Sequence, residues 1–144
     1  MIENNNVELL FEARSENEAF ARVAVAAFVT QLNPTLEEVA DLKTAVSEAV
    51  TNCIVHAYPD HIGPVTVTAA IYEGGIVRIT ISDRGVGIPD VAKAMEPMFT
   101  TGDAEERAGL GFAVMQSFMD KVRVSSAPGH GTRVTLTKRL QART

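Results

Sequence analysis

The chain has no tryptophan, a single cysteine and only 6% aromatic residues over its 144 positions. One cysteine excludes an internal disulfide framework and any multi-cysteine zinc site. It also fits a reducing compartment. Basic residues are in deficit: 13 lysines and arginines stand against 18 aspartates and glutamates, for a formal charge of −5. General nucleic-acid binding draws on a basic excess and is therefore not expected. Long apolar runs are missing too. The longest, around residues 19–29, is interrupted by Arg22, which argues against a membrane-spanning helix. The opening Met1-Ile2-Glu3-Asn4 has neither the basic start nor the apolar run of a signal peptide. The expectation is a cytoplasmic protein that touches neither membrane nor nucleic acid. Internal repeats and low-complexity tracts are also lacking.

What remains is ordinary for a globular domain: 46% hydrophobic and 22% charged residues. A single domain over residues 1–144 is expected, large enough to bury a core without covalent staples. Residues 7–12 alternate Val7, Leu9 and Phe11 against Glu8, Leu10 and Glu12, a strand pattern. Ser15 and Glu18 have capping-box spacing and predict a helix start there. That helix would bury Phe20, Val23, Ala24, Ala27, Phe28 and Leu32, and would end at Asn33-Pro34. Thr35 and Glu38 repeat the box and open a helix over about 36–57, with a stripe of Leu36, Val39, Val46, Val50, Cys53, Ile54 and Ala57.

Residues 65–72 and 76–82 read as strands joined at Glu73-Gly74-Gly75. Residues 84–108 carry several glycines and prolines and read as a long lid-like loop with one short helix. A helix over 110–119 follows, then strands over 121–125 and 132–137 around a turn at 128–131. The predicted architecture is a two-layer α/β sandwich. Its sheet is mixed but mostly antiparallel, and three helices cover one face.

Four short constellations carry chemistry. Thr44, Glu48, Asn52 and His56 recur every four residues and share one helix face. Alone, that row is equally a solvated face. Yet Thr51-Asn52 is a weak helix-forming pair, and no lysine or arginine occurs between Lys43 and Arg78. Asp83-Arg84-Gly85-Val86-Gly87 follows a strand in which Val77, Ile79 and Ile81 point to the core. Asp83 has the same parity, so its carboxylate needs a partner such as an adenine amino group. Gly109-Leu110-Gly111 stands at the start of the predicted helix, where backbone N–H groups favour anions. Arg107 stands just before it, either as a phosphate contact or as an ordinary surface residue. Gly131-Thr132 opens the last strand with Thr132 on the parity of Val134 and Leu136. Phosphate loops of the G-x-x-x-x-G-K-[ST] type, zinc helices, nucleophile elbows and protein-kinase signatures are absent.

In this order, the four pieces resemble the boxes of the GHKL ATPase family, which includes sensor histidine kinases, gyrase-type topoisomerases and heat-shock chaperones. Ser47-Glu48-Ala49-Val50-Thr51-Asn52, Phe99-Thr100-Thr101 and Glu106-Arg107 are similar to the anti-sigma/serine-kinase subfamily. The helix around residues 15–23 looks like members that act in sporulating bacteria. The one departure near the site is Cys53, where an alanine is common among relatives. The resemblance implies that Asn52 coordinates Mg²⁺ and that Asp83, with Thr132 nearby, binds adenine. It places His56, Gly85, Gly87, Thr101, Gly109, Leu110 and Gly111 around ATP or ADP. Glu48 would be the general base toward a serine hydroxyl, and Arg107 a γ-phosphate contact.

The implied function is an anti-sigma factor that holds a sporulation sigma factor as a homodimer and phosphorylates a serine of an anti-anti-sigma factor. The alternatives are a histidine-kinase-type catalytic domain and a non-catalytic, ATP-gated sigma-binding module. Arg22, Glu16 and Val25 on the first helix are the expected partner surface, on the premise that Val25 and Val29 lie off the buried stripe.

Overall fold

A computed structural model describes residues 2–95 and 104–141; the side chains of 104–109 lie outside that description. Five strands form one sheet: β1 (Glu3–Glu12), β2 (Pro64–Tyr72), β3 (Ile76–Asp83), β4 (Lys121–Ser126) and β5 (Thr132–Arg139). The strand order is β1-β2-β3-β5-β4. All four neighbour pairings are antiparallel, so the expected mixed sheet is corrected to an antiparallel one. Hairpins join β2 to β3 and β4 to β5. The chain returns from β3 through two helices to the far edge, and β5 then fills the gap beside β3.

The helices α1 (Ser15–Val29), α2 (Leu36–Asn52), α3 (Val91–Ala94) and α4 (Ala104–Phe118) complete the fold. The core joins Val65, Val67, Val77, Ile79, Ile81, Val134 and Leu136 of the sheet to Leu42, Val46 and Val50 of α2 and Phe112 and Met115 of α4. Strand alternation was read correctly, since Val7, Leu9 and Phe11 pack inward while Leu10 is 71% exposed.

The expected stripe of the first helix holds only in part: Phe28 and Leu32 do pack on the core, but its leading residues face outward. Ala21, Val25 and Val29 are buried, whereas Phe20 and Val23 are each 55% exposed. Val25 is thus a core residue and not part of a partner surface. Small side chains at four-residue spacing let α1 sit close on the sheet and α2, where Phe20 would not fit. The Ser15 capping box does not form either. Arg14 is the N-cap, without a side-chain cap, and Ser15 is already helical.

Thr35 and Glu38 do form theirs, with Thr35 Oγ1 accepting from Glu38 N at 3.0 Å and Glu38 Oε1 accepting from Thr35 N at 2.9 Å. Leu36, however, is 90% exposed, and Leu42 takes the core position instead. The helix continues past Asn52 as one wide turn, Cys53–Ala57. α4 begins six residues before the expected start, because Ala104-Glu105-Glu106-Arg107-Ala108 are good helix formers.

The inward face of α1 predicts that Val25→Ala destabilises the fold by about 2 kcal/mol, the loss of two buried methyl groups plus a small cavity. Phe20→Ala should change stability by less than about 0.5 kcal/mol, as surface substitutions do. Urea unfolding of the two variants measures both.

Candidate functional site

The sheet ends at Asp83 on β3 and Thr132 on β5, which are register partners. Asp83 Oδ1 accepts from Gly85 N at 2.9 Å and from Thr132 N at 3.2 Å. One carboxylate therefore fixes both the Asp83–Gly87 turn and the start of β5. Thr132 Oγ1 lies 2.8 Å from Ser126 Oγ. Ser126 Oγ in turn accepts from Ile88 N at 2.8 Å and bonds to Gly131 O at 2.9 Å. Ser126 has the strand parity of Val122 and Val124, a signal that could have revealed it from the sequence.

The turn is clamped from two sides. Val86 N donates to Ala57 O at 2.9 Å, and Gly129 N donates to Val86 O at 2.8 Å. A Cβ on Gly85 would fall on the Ala57 carbonyl oxygen. Gly87 and Gly131 both have φ of 77°, and a Cβ there would strike the carbonyl oxygens of Ala127 and Asp83. Glycine is required at both positions by conformation and by space. Tyr58 locks the outer side: its hydroxyl donates to Pro64 O at 2.5 Å and accepts from Arg84 N at 2.7 Å. Burial raises the Tyr58 phenol above its ordinary value, so it stays a donor.

The row on α2 faces the same place. Asn52, Cys53, His56, Asp83, Gly87 and Thr132 line a small cavity closed by Ile88 and Phe112. Its volume of about 40 Å³ suits roughly one water. Burial, and then the charge of Asp83, push the Cys53 thiol well up. It is an unreactive floor residue beside the carboxylate.

Gly111 packs on Glu48 and Asn52, a Cβ there lying 3.3 Å from the Asn52 amide and from Glu48 Oε2. Asn52 Nδ2 is buried with no hydrogen-bond partner, an unusual state that points to a missing ligand. Burial first, and the charge of Glu18 second, hold Glu48 above the usual carboxylate range. Glu18 itself accepts from Ser47 Oγ and pairs with Arg22 Nε at 3.6 Å. Sequence reasoning missed this link, because Glu18 was assigned to a cap that does not form.

Structure thus gathers Glu48, Asn52, His56, Asp83, Gly85, Gly87, Gly111 and Thr132 at one end of the sandwich. Gly109 and Leu110 lie on α4, but inside the helix rather than at its start. Helical N–H groups in that position are bonded within the helix, so the expected N-terminal anion site is corrected. Leu110 is 55% exposed. Arg107 lies on the backbone of α4 with its side chain outside the description. Thr101 and the Phe99-Thr100 pair fall outside the described residues. Glu16 is exposed and Arg22 half-buried on α1.

The residues fit a magnesium nucleotide. The unsatisfied Asn52 Nδ2 is a donor that a phosphate oxygen would satisfy, its Oδ1 is the atom that could face Mg²⁺, and glycine-lined backbone lets phosphates approach. Among the described residues, no group of three or more acidic, histidine or cysteine side chains could hold a metal alone. No helix among the described residues is long and apolar enough to cross a membrane.

Comparison with known proteins agrees with this geometry. Residues 11–138 match the histidine kinase-like ATPase domain family. The chain is 59% identical over 135 residues to the anti-sigma F factor of Caldanaerobacter subterraneus subsp. tengcongensis, covering 94% of each. It is 54% identical over 142 residues to that of Pasteuria penetrans, covering 98% of this chain and 95% of the relative. Among solved structures, the RsbU and RsbW domains of a Mycobacterium tuberculosis protein superpose with a TM-score of 0.71 at 24% identity. That match covers 97% of this chain and 34% of the other. An Erythrobacter litoralis blue-light activated histidine kinase superposes at 0.60 and 22% identity, covering 85% of this chain and 41% of the kinase. These likenesses concern the fold.

The clamped turn makes a separable prediction. Gly131→Ala combines positive-φ strain with a backbone clash and should cost about 2–4 kcal/mol. Gly129→Ala has a similar φ of 78° but nothing within 4 Å of its Cβ, so it should cost about 1 kcal/mol. Thermal or urea unfolding of the pair distinguishes clash from strain.

Proposed function

The chain belongs to the histidine kinase-like ATPase domain family and, within it, to the anti-sigma F factors, and from that premise we propose a Mg-ATP-dependent serine kinase that also sequesters a sigma factor. The substrate is a serine of an anti-anti-sigma protein, and the working unit is a homodimer. The observation that carries the catalytic part is Glu48, a half-buried carboxylate held above its usual range next to the unsatisfied Asn52 amide.

Asn52 would hold Mg²⁺ through its amide oxygen. When bound, the ion neutralises charge on the phosphates and orients them. Asp83, already fixed by two backbone donors on one oxygen, would accept from the adenine amino group. Thr132, held by Ser126, borders the same base. Glu48 takes the proton of the serine hydroxyl as the serine oxygen bonds to the γ-phosphorus. The bond to the β–γ bridging oxygen breaks, and ADP leaves with that electron pair. Arg107 supplies positive charge toward the transferred phosphoryl group. Such chemistry rests on positioning and electrostatics.

Sigma-factor binding is supported by the family and by α1. Glu16 shares a helix side with the exposed Phe20 and Val23, an aromatic of the kind that anchors interfaces, while Arg22 lies off that side, paired with Glu18.

Glu48→Gln should lower transfer of labelled phosphate to the serine partner by about 10²–10⁴-fold, with ATP binding retained. Folding favours protonated Glu48, so ionising it costs stability as pH rises through its raised value. The glutamine removes that cost, and the melting temperature at pH 7 should not fall. Undiminished transfer, or product phosphate that is acid-labile, would overturn the reading. The raised value also sets a pH profile. Activity is lost as pH falls through it, and Glu18→Gln should move that acidic limb to lower pH by removing a like charge. An unmoved limb would remove Glu18 from the explanation.

A further inference from the structure

The helices cover only one face of the sheet. On the other face, three strands bring together a large share of the molecule's positive charge. Of 13 lysines and arginines in the chain, Arg78 on β3, Lys121 and Arg123 on β4, and Arg133 and Arg139 on β5 have outward parity. Lys121, Arg123, Arg133 and Arg139 are exposed. The only acidic residue within these three strands is Asp83, at the end of β3, whose carboxylate is turned to the nucleotide site.

Register orders this face. Lys121 and Arg78 flank Thr137; Arg123 is followed by Thr135 and Thr80; Arg133 lies between Ser125 and Ser82. Arg78, Lys121, Arg123 and Arg133 are thus each set opposite a hydroxyl, and Arg139 opposite Ile76, which avoids the direct like-charge pairs that destabilise sheets. Among the described residues, none of Arg78, Lys121, Arg123 and Arg133 makes an ion pair. Arg78 lies over the Tyr72 ring at 5.0 Å. An open groove of about 850 Å³ crosses the same face, with Thr80, Ser82, Arg84 and Arg133 along it. Glu8 on β1 lies across the groove from the cations, which polarises the face.

We propose that the outer face of β3, β5 and β4 docks an acidic segment of a partner polypeptide. Carboxylates would pair with Arg123, Arg133 and Lys121, and the hydroxyl rows would meet the segment's polar groups. Charge-assisted pairing with arginine is directional and strong for its size. The chemistry favours a polypeptide over a nucleic acid. The whole chain carries −5, which repels a long polyanion, and strands β3, β4 and β5 carry no aromatic side chain on which bases could stack. The face is also rich in hydroxyls and poor in apolar side chains, unlike the core of an obligate dimer. Asp83 and Thr132 border both this groove and the nucleotide cavity, so the surface lies behind the wall of the site.

The test uses the full chain and a fluorescein-labelled peptide of six Glu-Ser repeats, followed by anisotropy in about 50 mM salt. Wild type should bind it at least tenfold more tightly than R123E/R133E, and binding should fade as salt is raised. R14E alters an exposed cation outside β3, β5 and β4, paired with Glu12, and should bind like wild type. R123Q/R133Q gives the same comparison if charge reversal impairs folding. Equal binding by wild type and both double variants would overturn the proposal, as would equal loss in R14E. Tighter binding of a single-stranded oligonucleotide of equal charge would overturn it in favour of nucleic acid. A dimer that R123E/R133E dissociates, with no peptide binding, would assign the face to a second copy.

Discussion

The Asp83 carboxylate ties together segments that lie far apart in the chain. One of its oxygens takes two backbone N–H groups, from Gly85 two residues on and from Thr132 forty-nine residues on. A partly buried charge is costly unless it is hydrogen-bonded, and these two donors meet that need before any ligand does. Everything around the site inherits the arrangement. Gly85 is pressed on the wide turn at the end of α2, Gly87 on the β4–β5 connection, and Gly131 on the Asp83 carbonyl. Moving any of these backbones would disturb the others.

A second dependence runs through charge. Glu48 is unsettled by burial and by Glu18, while Glu18 is settled by Ser47 and Arg22. The first helix, which carries the exposed Phe20 and Val23, is therefore electrically connected to the carboxylate proposed as base. An event on α1 that moved Glu18 would change the basicity of Glu48 without touching it. A surface helix and a buried site need no further wiring to influence one another.

Much of the site was legible because its parts obey local rules. Asp83 and Thr132 were placed by strand parity, which the sheet register preserves over long distances. Glu48, Asn52 and His56 were placed by four-residue spacing on one helix. Failures came where a local rule had two solutions. On α1, Phe20 and Val23 looked like the core stripe because they are larger, but the smaller Ala21, Val25 and Val29 are buried. A helix lying close to a sheet selects for fit, not for hydrophobicity alone. Ser15 and Glu18 matched a cap in spacing, yet Ser47 offered Glu18 a partner from another helix. Gly109 and Gly111 suggested a helix start, and the strong helix formers before them extended the helix through both.

The sequence by itself determined the strands and the second helix with its working cap, both from periodicity and capping chemistry. That Glu48, Asn52, Asp83, Gly85, Gly87 and Thr132 belong to one site followed from the resemblance of their motifs, in order, to a known family. Tertiary structure alone decided which side of α1 faces inward, what holds Glu18, and how Ser126 and Tyr58 lock the turn. It also gathered dispersed cations onto one face of a chain that is acidic overall. These outcomes depend on which distant segments meet, and pairing energies between such segments are not encoded in any local window of residues.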